Sequence, residues 1–252
     1  MNNSEASPLN QDIHPWGPIA TVSIGILILV STFLAQIGAE ALLERVWALS
    51  GPGRGRFSFL PFGLLVSLES VVSALIGSLM IGLAIRLRQR RYPFVRVRTY
   101  LGLYRFTWQA LAFWAGLTLV YLISMDAVSH WSGRPLIPDF IIEAYATSIW
   151  PFLFWIAIGI CAPFFEELFF RGFLLAGFRK TRRRTVIAVV AISGVWAGVH
   201  LQYGWYEMIW IFGLGLVFGA ARLRSGSLWL PVLLHMQCNL LATFQVARMP
   251  AL

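Results

Sequence analysis

The sequence predicts an all-α integral membrane protein, a polytopic bundle of about seven transmembrane helices, within a range of about six to eight. Three observations carry that prediction: charged residues make up 12% of the 252 residues against 58% hydrophobic, the mean hydropathy is +0.71, and the apolar residues fall in long continuous runs. A soluble domain carries about a quarter charged residues, so the solvent this chain is written for is lipid. A helix rising ~1.5 Å per residue needs about 20 apolar residues to cross a hydrocarbon core of ~30 Å. Continuous runs give helices, whereas a transmembrane strand alternates polar and apolar residues over ~10 positions.

Taken in order, residues 1–15 carry no Lys or Arg and read as a polar tail. The first apolar run, 18–37, is too long for the core of a signal peptide, so it reads as an uncleaved helix even though Ala39-Glu40-Ala41 resembles a cleavage site. The second, 57–85, contains one acid, Glu69, read as structural. The third is 106–123, and the fourth, 149–178, is long. The fifth, 186–200, and the sixth, 207–221, are short, and the seventh is 228–246. These divide the chain into the tail (1–15), N-terminal membrane helices (16–148) and a C-terminal membrane core (149–246). No internal repeat, low-complexity tract or linker interrupts them. Cys161 and Cys238 lie inside apolar runs without metal or redox spacing and read as packing residues.

The net charge of +9 is almost all arginine, Lys180 being the only lysine. A basic chain suggests nucleic acid or a membrane surface, and position decides: the arginines gather between apolar runs, at 86–98, 179–184 and 222–224, where lipid headgroups lie. No nucleic-acid partner is expected. Placing these segments in the cytoplasm needs an even number of crossings between them, which runs three and four, then five and six, supply. The N-terminus is then cytoplasmic, the C-terminus outside, and Asp126, Asp139 and Glu143 lie on the outer side. Arg45, Arg54 and Arg56 also fall outside, so the first helix fits the charge pattern least. A compact, loop-poor chain points to a bacterial plasma membrane.

Ionisable residues inside apolar runs carry the functional information, since a charge at the bilayer centre costs at least ~2.5–3.5 kcal/mol. Glu167 and Arg171 stand i,i+4 on one helix face, within ion-pairing reach. Glu166 projects about 100° away, lacks a partner in its own helix and must face a cavity or other helices. His200 ends the fifth run with Trp196 one turn earlier, and His235 and Asn239 share a face of the seventh. Each feature alone has an ordinary reading, a packing ion pair or a packing histidine. Together a Glu, two His and an Asn from three helices are a set that either ligates a metal or activates water and holds an oxyanion.

These residues resemble the CAAX prenyl protease and bacteriocin-processing family of intramembrane endopeptidases, whose motifs are Glu-Glu-x-x-x-Arg, aromatic-x-x-x-His and His-x-x-x-Asn, in that order. Here they are Glu166-Glu167 with Arg171, Trp196 with His200, and His235 with Asn239, over about 149–244. The family usually has Phe where this chain has Trp196. The resemblance implies hydrolysis of a peptide bond in a membrane-embedded or lipid-anchored protein or peptide. Glu166 and His200 would activate water, His235 and Asn239 would stabilise the oxyanion, and Glu167, Arg171 and Trp196 would support them. The cofactor stays open: none in a glutamate mechanism, favoured because no His-Glu-x-x-His helix is present, or Zn2+ held by His200, His235 and Glu166. The rival of another class is a non-enzymatic transporter or peptide-binding immunity protein using the same residues. The absence of repeats weighs against a transporter.

Overall fold

The computed structural model describes residues 16–49, 60–179 and 181–249. The tail 1–15, Arg54, Arg56, the start of the second apolar run and Lys180, all used in the reading above, lie outside them. Among the described residues the only regular structure is helical: α1 (Pro18–Leu49), α2 (Phe62–Arg91), α3 (Val97–Leu101), α4 (Trp108–Trp131), α5 (Asp139–Ala146), α6 (Pro151–Leu174), α7 (Arg182–Gly198), α8 (Trp205–Ser225) and α9 (Trp229–Ala247). Six of these, α1, α2, α4, α6, α8 and α9, are long and apolar enough to cross a membrane, and the chain is a polytopic all-α membrane protein. The fifth apolar run becomes α7, a helix of 17 residues that opens on three arginines.

Several helices outrun their apolar segments, α1 and α4 among them. The first continues from 37 to Leu49 because Ala, Leu, Glu and Arg, all good helix formers, fill the extension. The third continues from 123 to Trp131. Side-chain caps start two other helices: the Thr107 hydroxyl accepts a hydrogen bond from the Ala110 amide at 3.2 Å, and the Thr181 hydroxyl from that of Arg184 at 3.3 Å.

Three arginine clusters meet at one end of the bundle. Arg88, Arg90 and Arg91 finish α2, Arg182, Arg183 and Arg184 open α7, and Arg222 and Arg224 finish α8. Trp16, just before α1, packs edge-on against Tyr100 (5.5 Å) and Phe173 (5.8 Å) of this same end. The end is tied by the Leu228 amide donating to the Gly102 carbonyl at 2.8 Å and by Arg222 Nη2 donating to the Leu101 carbonyl at 3.2 Å. Gly102 has φ 71°, and a Cβ there would meet the Arg222 guanidinium, so both geometry and space require glycine. Asp139, Glu143 and Glu207 belong to the opposite end.

The centre of the bundle is α6, whose Phe165, Leu168, Phe169, Phe170 and Phe173 are buried. It is not a regular α-helix. Wide π turns occupy Ala157–Cys161 and Leu168–Leu174, and Pro163 stands between them without a backbone N–H. Against it, α7 lies close to α8 because Gly215 and Gly219 expose backbone: a Cβ at Gly215 would meet Ser193, and one at Gly219 would meet Val189. These two features, an irregular α6 and a close α7–α8 pair, place the polar residues.

Candidate active site

A cavity of about 500 Å³ runs between the helices, and Glu166, Trp196, His200, His235 and Asn239 all line it. The structure therefore brings all four residues expected from the sequence to act on a substrate to one space. Its wall is completed by the N-terminal helices, through Leu29 and Gln36 of α1, Glu69 of α2 and Leu122 of α4. Glu69, read as structural from the sequence, lines this space. Its backbone carbonyl accepts from Gln36 Nε2 at 3.3 Å and from the Ser73 hydroxyl at 2.8 Å, at the edge of the π turn in α2.

The adjacent glutamates have separate environments. The Glu166 side chain is 23% exposed and that of Glu167 is 0% exposed, so only Glu166 is reachable from the cavity. Glu167 Oε1 accepts from Arg171 Nη1 at 2.8 Å, the i,i+4 pair expected, and it also meets His235 Nδ1 at 3.1 Å. Arg171 reaches further: Nη2 donates to the Gly215 carbonyl at 3.3 Å, and its guanidinium lies 4.4 Å from the centre of the Trp196 ring. A buried ion pair is stabilising only when its remaining hydrogens and lone pairs find partners, and these contacts supply several.

Trp196 is the hub of the site. Its Nε1–H donates to Glu166 Oε2 at 2.6 Å, its ring meets those of His200 (5.3 Å) and His235 (5.2 Å) edge-on, and its carbonyl meets His200 Nδ1 at 2.6 Å. A carbonyl only accepts, so His200 Nδ1 carries the proton. His200 Nε2 then stands 3.9 Å from Glu166 Oε2. By the same reasoning His235 Nδ1 donates to the Glu167 carboxylate, which frees His235 Nε2.

Asn239 has a partner that no motif announces. Its Nδ2 donates to the Ile158 carbonyl at 2.8 Å. That carbonyl is orphaned by the shape of α6: the Ala162 amide goes to Ala157 instead, and the residue five on is Pro163, which has no N–H. Asn239 thus seals the gap that the π turn and the proline open together.

Sequence reasoning passed over Tyr203, in the turn between α7 and α8, which also lines the cavity and stacks on the His200 ring at 5.9 Å and 15°. Burial, with the Glu166 and Glu207 carboxylates nearby, pushes its phenol well above the ordinary value. A tyrosine in a loop carries no motif of its own; its proximity to the histidine at the end of α7 was the available signal. Cys161 and Cys238 are free thiols.

A catalytic zinc site uses three protein ligands and an open position. Among the described residues no three His, Cys, Asp or Glu side chains are grouped so as to hold a metal ion.

Residues 148–241 match the family model described as Type II CAAX prenyl endopeptidase Rce1-like, and this bears out the resemblance read from the motifs. An "Uncharacterized 24.3 kDa protein" of Escherichia coli is 39% identical over 88 residues, which are 34% of this chain and 41% of that protein. The chain thus spans less than half the length of this relative. No solved structure matches the chain.

Proposed function

We propose that this protein is a CAAX-type intramembrane endopeptidase that hydrolyses a peptide bond in a membrane-embedded or lipid-anchored protein or peptide, with Glu166 as the base. The observation that carries the reading is the pair Glu166 Oε2 and His200 Nε2, 3.9 Å apart beside one cavity within the segment that matches the family model. Too long for a direct hydrogen bond, that separation suits a water held by both groups.

In the reaction Glu166 takes a proton from this water while His200 Nε2 holds it, and the oxygen bonds to the scissile carbonyl carbon. General-base assistance of this kind contributes about 10²–10⁴-fold. The carbonyl oxygen becomes an oxyanion, to which the second N–H of Asn239 and, when protonated, His235 Nε2 donate. Glu166 returns the proton to the amide nitrogen, the C–N bond breaks, and a carboxylic acid, still carrying the second proton of the water, and an amine leave. Glu167 and Arg171 hold His235 in orientation. Residues 149–246 act as the catalytic core, and 16–148 supply the remaining cavity wall and the substrate's approach.

The arginine-rich end faces the cytoplasm of a bacterial plasma membrane, which makes the N-terminus cytoplasmic, since the start of α1 packs at that end. The test is cleavage of a library of single-span membrane peptides by purified protein in liposomes, comparing wild type with Glu166→Gln, with and without a strong chelator. Cleavage abolished by Glu166→Gln and indifferent to the chelator is expected. Loss on chelation restored by zinc overturns the metal-free mechanism. A protein whose cellular role survives Glu166→Gln is a binder or transporter instead.

A further inference from the structure

Amide hydrolysis needs a hydrogen bond aimed at the oxygen on which negative charge develops, and the ring N–H groups of this site are already committed. Trp196 Nε1–H goes to Glu166, His200 Nδ1–H to the Trp196 carbonyl, and His235 Nδ1–H to Glu167. Asn239 gives one of its two amide hydrogens to the Ile158 carbonyl. Arg171 is spent on Glu167 and Gly215 and is buried away from the cavity. The motif side chains therefore leave one amide hydrogen, on Asn239, and beside His200 the cavity adds a hydroxyl.

That hydroxyl is Tyr203. Its amide donates to the His200 carbonyl at 3.0 Å, which closes the turn, and its ring lies parallel to the His200 imidazole and edge-on to Phe140 at 5.7 Å. The ring is thus clamped from two sides. Its hydroxyl has no hydrogen-bond partner among the described residues, although Tyr121 and Tyr206, on α4 and α8, both have one. It lies near enough to Glu166 for that carboxylate to act on it electrostatically, and burial keeps it protonated, a donor throughout the neutral range.

Resting on the hydrolytic reading of the site, we infer that Tyr203 is a catalytic residue whose phenolic O–H donates to the scissile carbonyl oxygen as it becomes the oxyanion. Water adds to the carbonyl carbon, the π electrons move to that oxygen, and the Tyr203 hydrogen bond shortens onto it without transferring its proton. When the C–N bond breaks, the carbonyl reforms and the hydrogen bond weakens again. The role needs no protonated histidine, so it is compatible with His200 acting through a neutral Nε2.

The competing account makes Tyr203 an aromatic spacer that keeps His200 in place, and Tyr203→Phe separates the two because it keeps the ring and removes only the oxygen. In the liposome assay with membrane-peptide substrates, Tyr203→Phe is expected to lower kcat by about 10²–10³-fold, the loss typical of one oxyanion donor. KM should stay within about threefold, since the bond is made chiefly in the transition state. A kcat within about threefold of wild type, or a loss confined to KM, overturns the inference. Glu166→Gln runs in parallel. If the wild-type protein cuts no peptide, the hydrolytic reading fails and this role with it; if Glu166→Gln is inactive while Tyr203→Phe cuts normally, only the tyrosine's role fails.

Should Tyr203→Phe not yield folded protein, 3,5-difluorotyrosine placed at 203 keeps ring and hydroxyl but acidifies the phenol. Activity must then fall on an alkaline limb that begins at lower pH than in wild type, because an ionised phenol cannot donate. An unchanged pH profile overturns the inference.

Discussion

Trp196 Nε1 lies 2.6 Å from Glu166 Oε2, a charge-assisted hydrogen bond from α7 to α6 that a phenylalanine cannot make. It fixes the orientation of the carboxylate whose Oε2 also faces His200 Nε2. Trp196→Phe, the residue the resembled family usually carries here, should keep the packing and lose only this bond. Hydrogen bonds to charged groups are worth about 1.5–3 kcal/mol, so kcat/KM is expected to fall about 10- to 100-fold. A kcat/KM equal to wild type would mean that the indole N–H does not act on the base.

Glu167 neutralises Arg171 at zero exposure, so its loss should be felt in stability before chemistry. Glu167→Gln leaves a buried guanidinium without a counter-charge and is expected to cost about 3–5 kcal/mol, seen as a lower thermal midpoint in detergent. The double variant Glu167→Gln with Arg171→Met should recover much of that loss, since no lone charge remains. A double variant less stable than Glu167→Gln alone contradicts the pairing.

Replacing Asn239 tests the wide turn of α6. Asn239→Ala strands the half-buried Ile158 carbonyl, and an unpaired acceptor there is expected to cost about 1 kcal/mol, the low end for a buried one. Amide hydrogen exchange in Ala157–Cys161 should accelerate along with the loss of cleavage. If exchange there is unchanged while cleavage disappears, Asn239 acts on substrate and not on the helix.

Close backbone approach at Gly63 gives a purely structural prediction. A Cβ there would run into the Ala144 carbonyl oxygen and press on the Ser148 amide, both backbone, so Gly63→Ala must push α5 away from α2. Phe140 and Ile141 of α5 line the cavity, and both stability and cleavage should fall. Gly116→Ala, where nothing stands within 4 Å, is the control. It should leave the thermal midpoint equal or slightly raised, by less than about 1 kcal/mol equivalent.

The bundle and much of the site were legible in the sequence because the relevant signals are local. Long apolar runs report the solvent of each segment, arginine clusters report which helix ends belong together, and i,i+4 spacing places Glu167 with Arg171 regardless of the rest of the fold. The seventh crossing was less legible: α7 opens on Arg182, Arg183 and Arg184 and stays at 17 residues.

What only the tertiary structure decided are the contacts between helices. The sequence placed Trp196 as an aromatic, and packing turned its N–H onto Glu166; it paired Glu167 with Arg171, and packing added His235. It set Glu69 aside and passed over Tyr203, which the fold brings to the same cavity. The physical reason is register. A period of 3.6 residues predicts neighbours within one regular helix, but π turns at Ala157–Cys161 and Leu168–Leu174 rotate α6 away from that period. The glycines of α8 then set how closely α7 approaches. Side-chain meetings across such joints depend on angles and separations that no spacing along a single chain encodes.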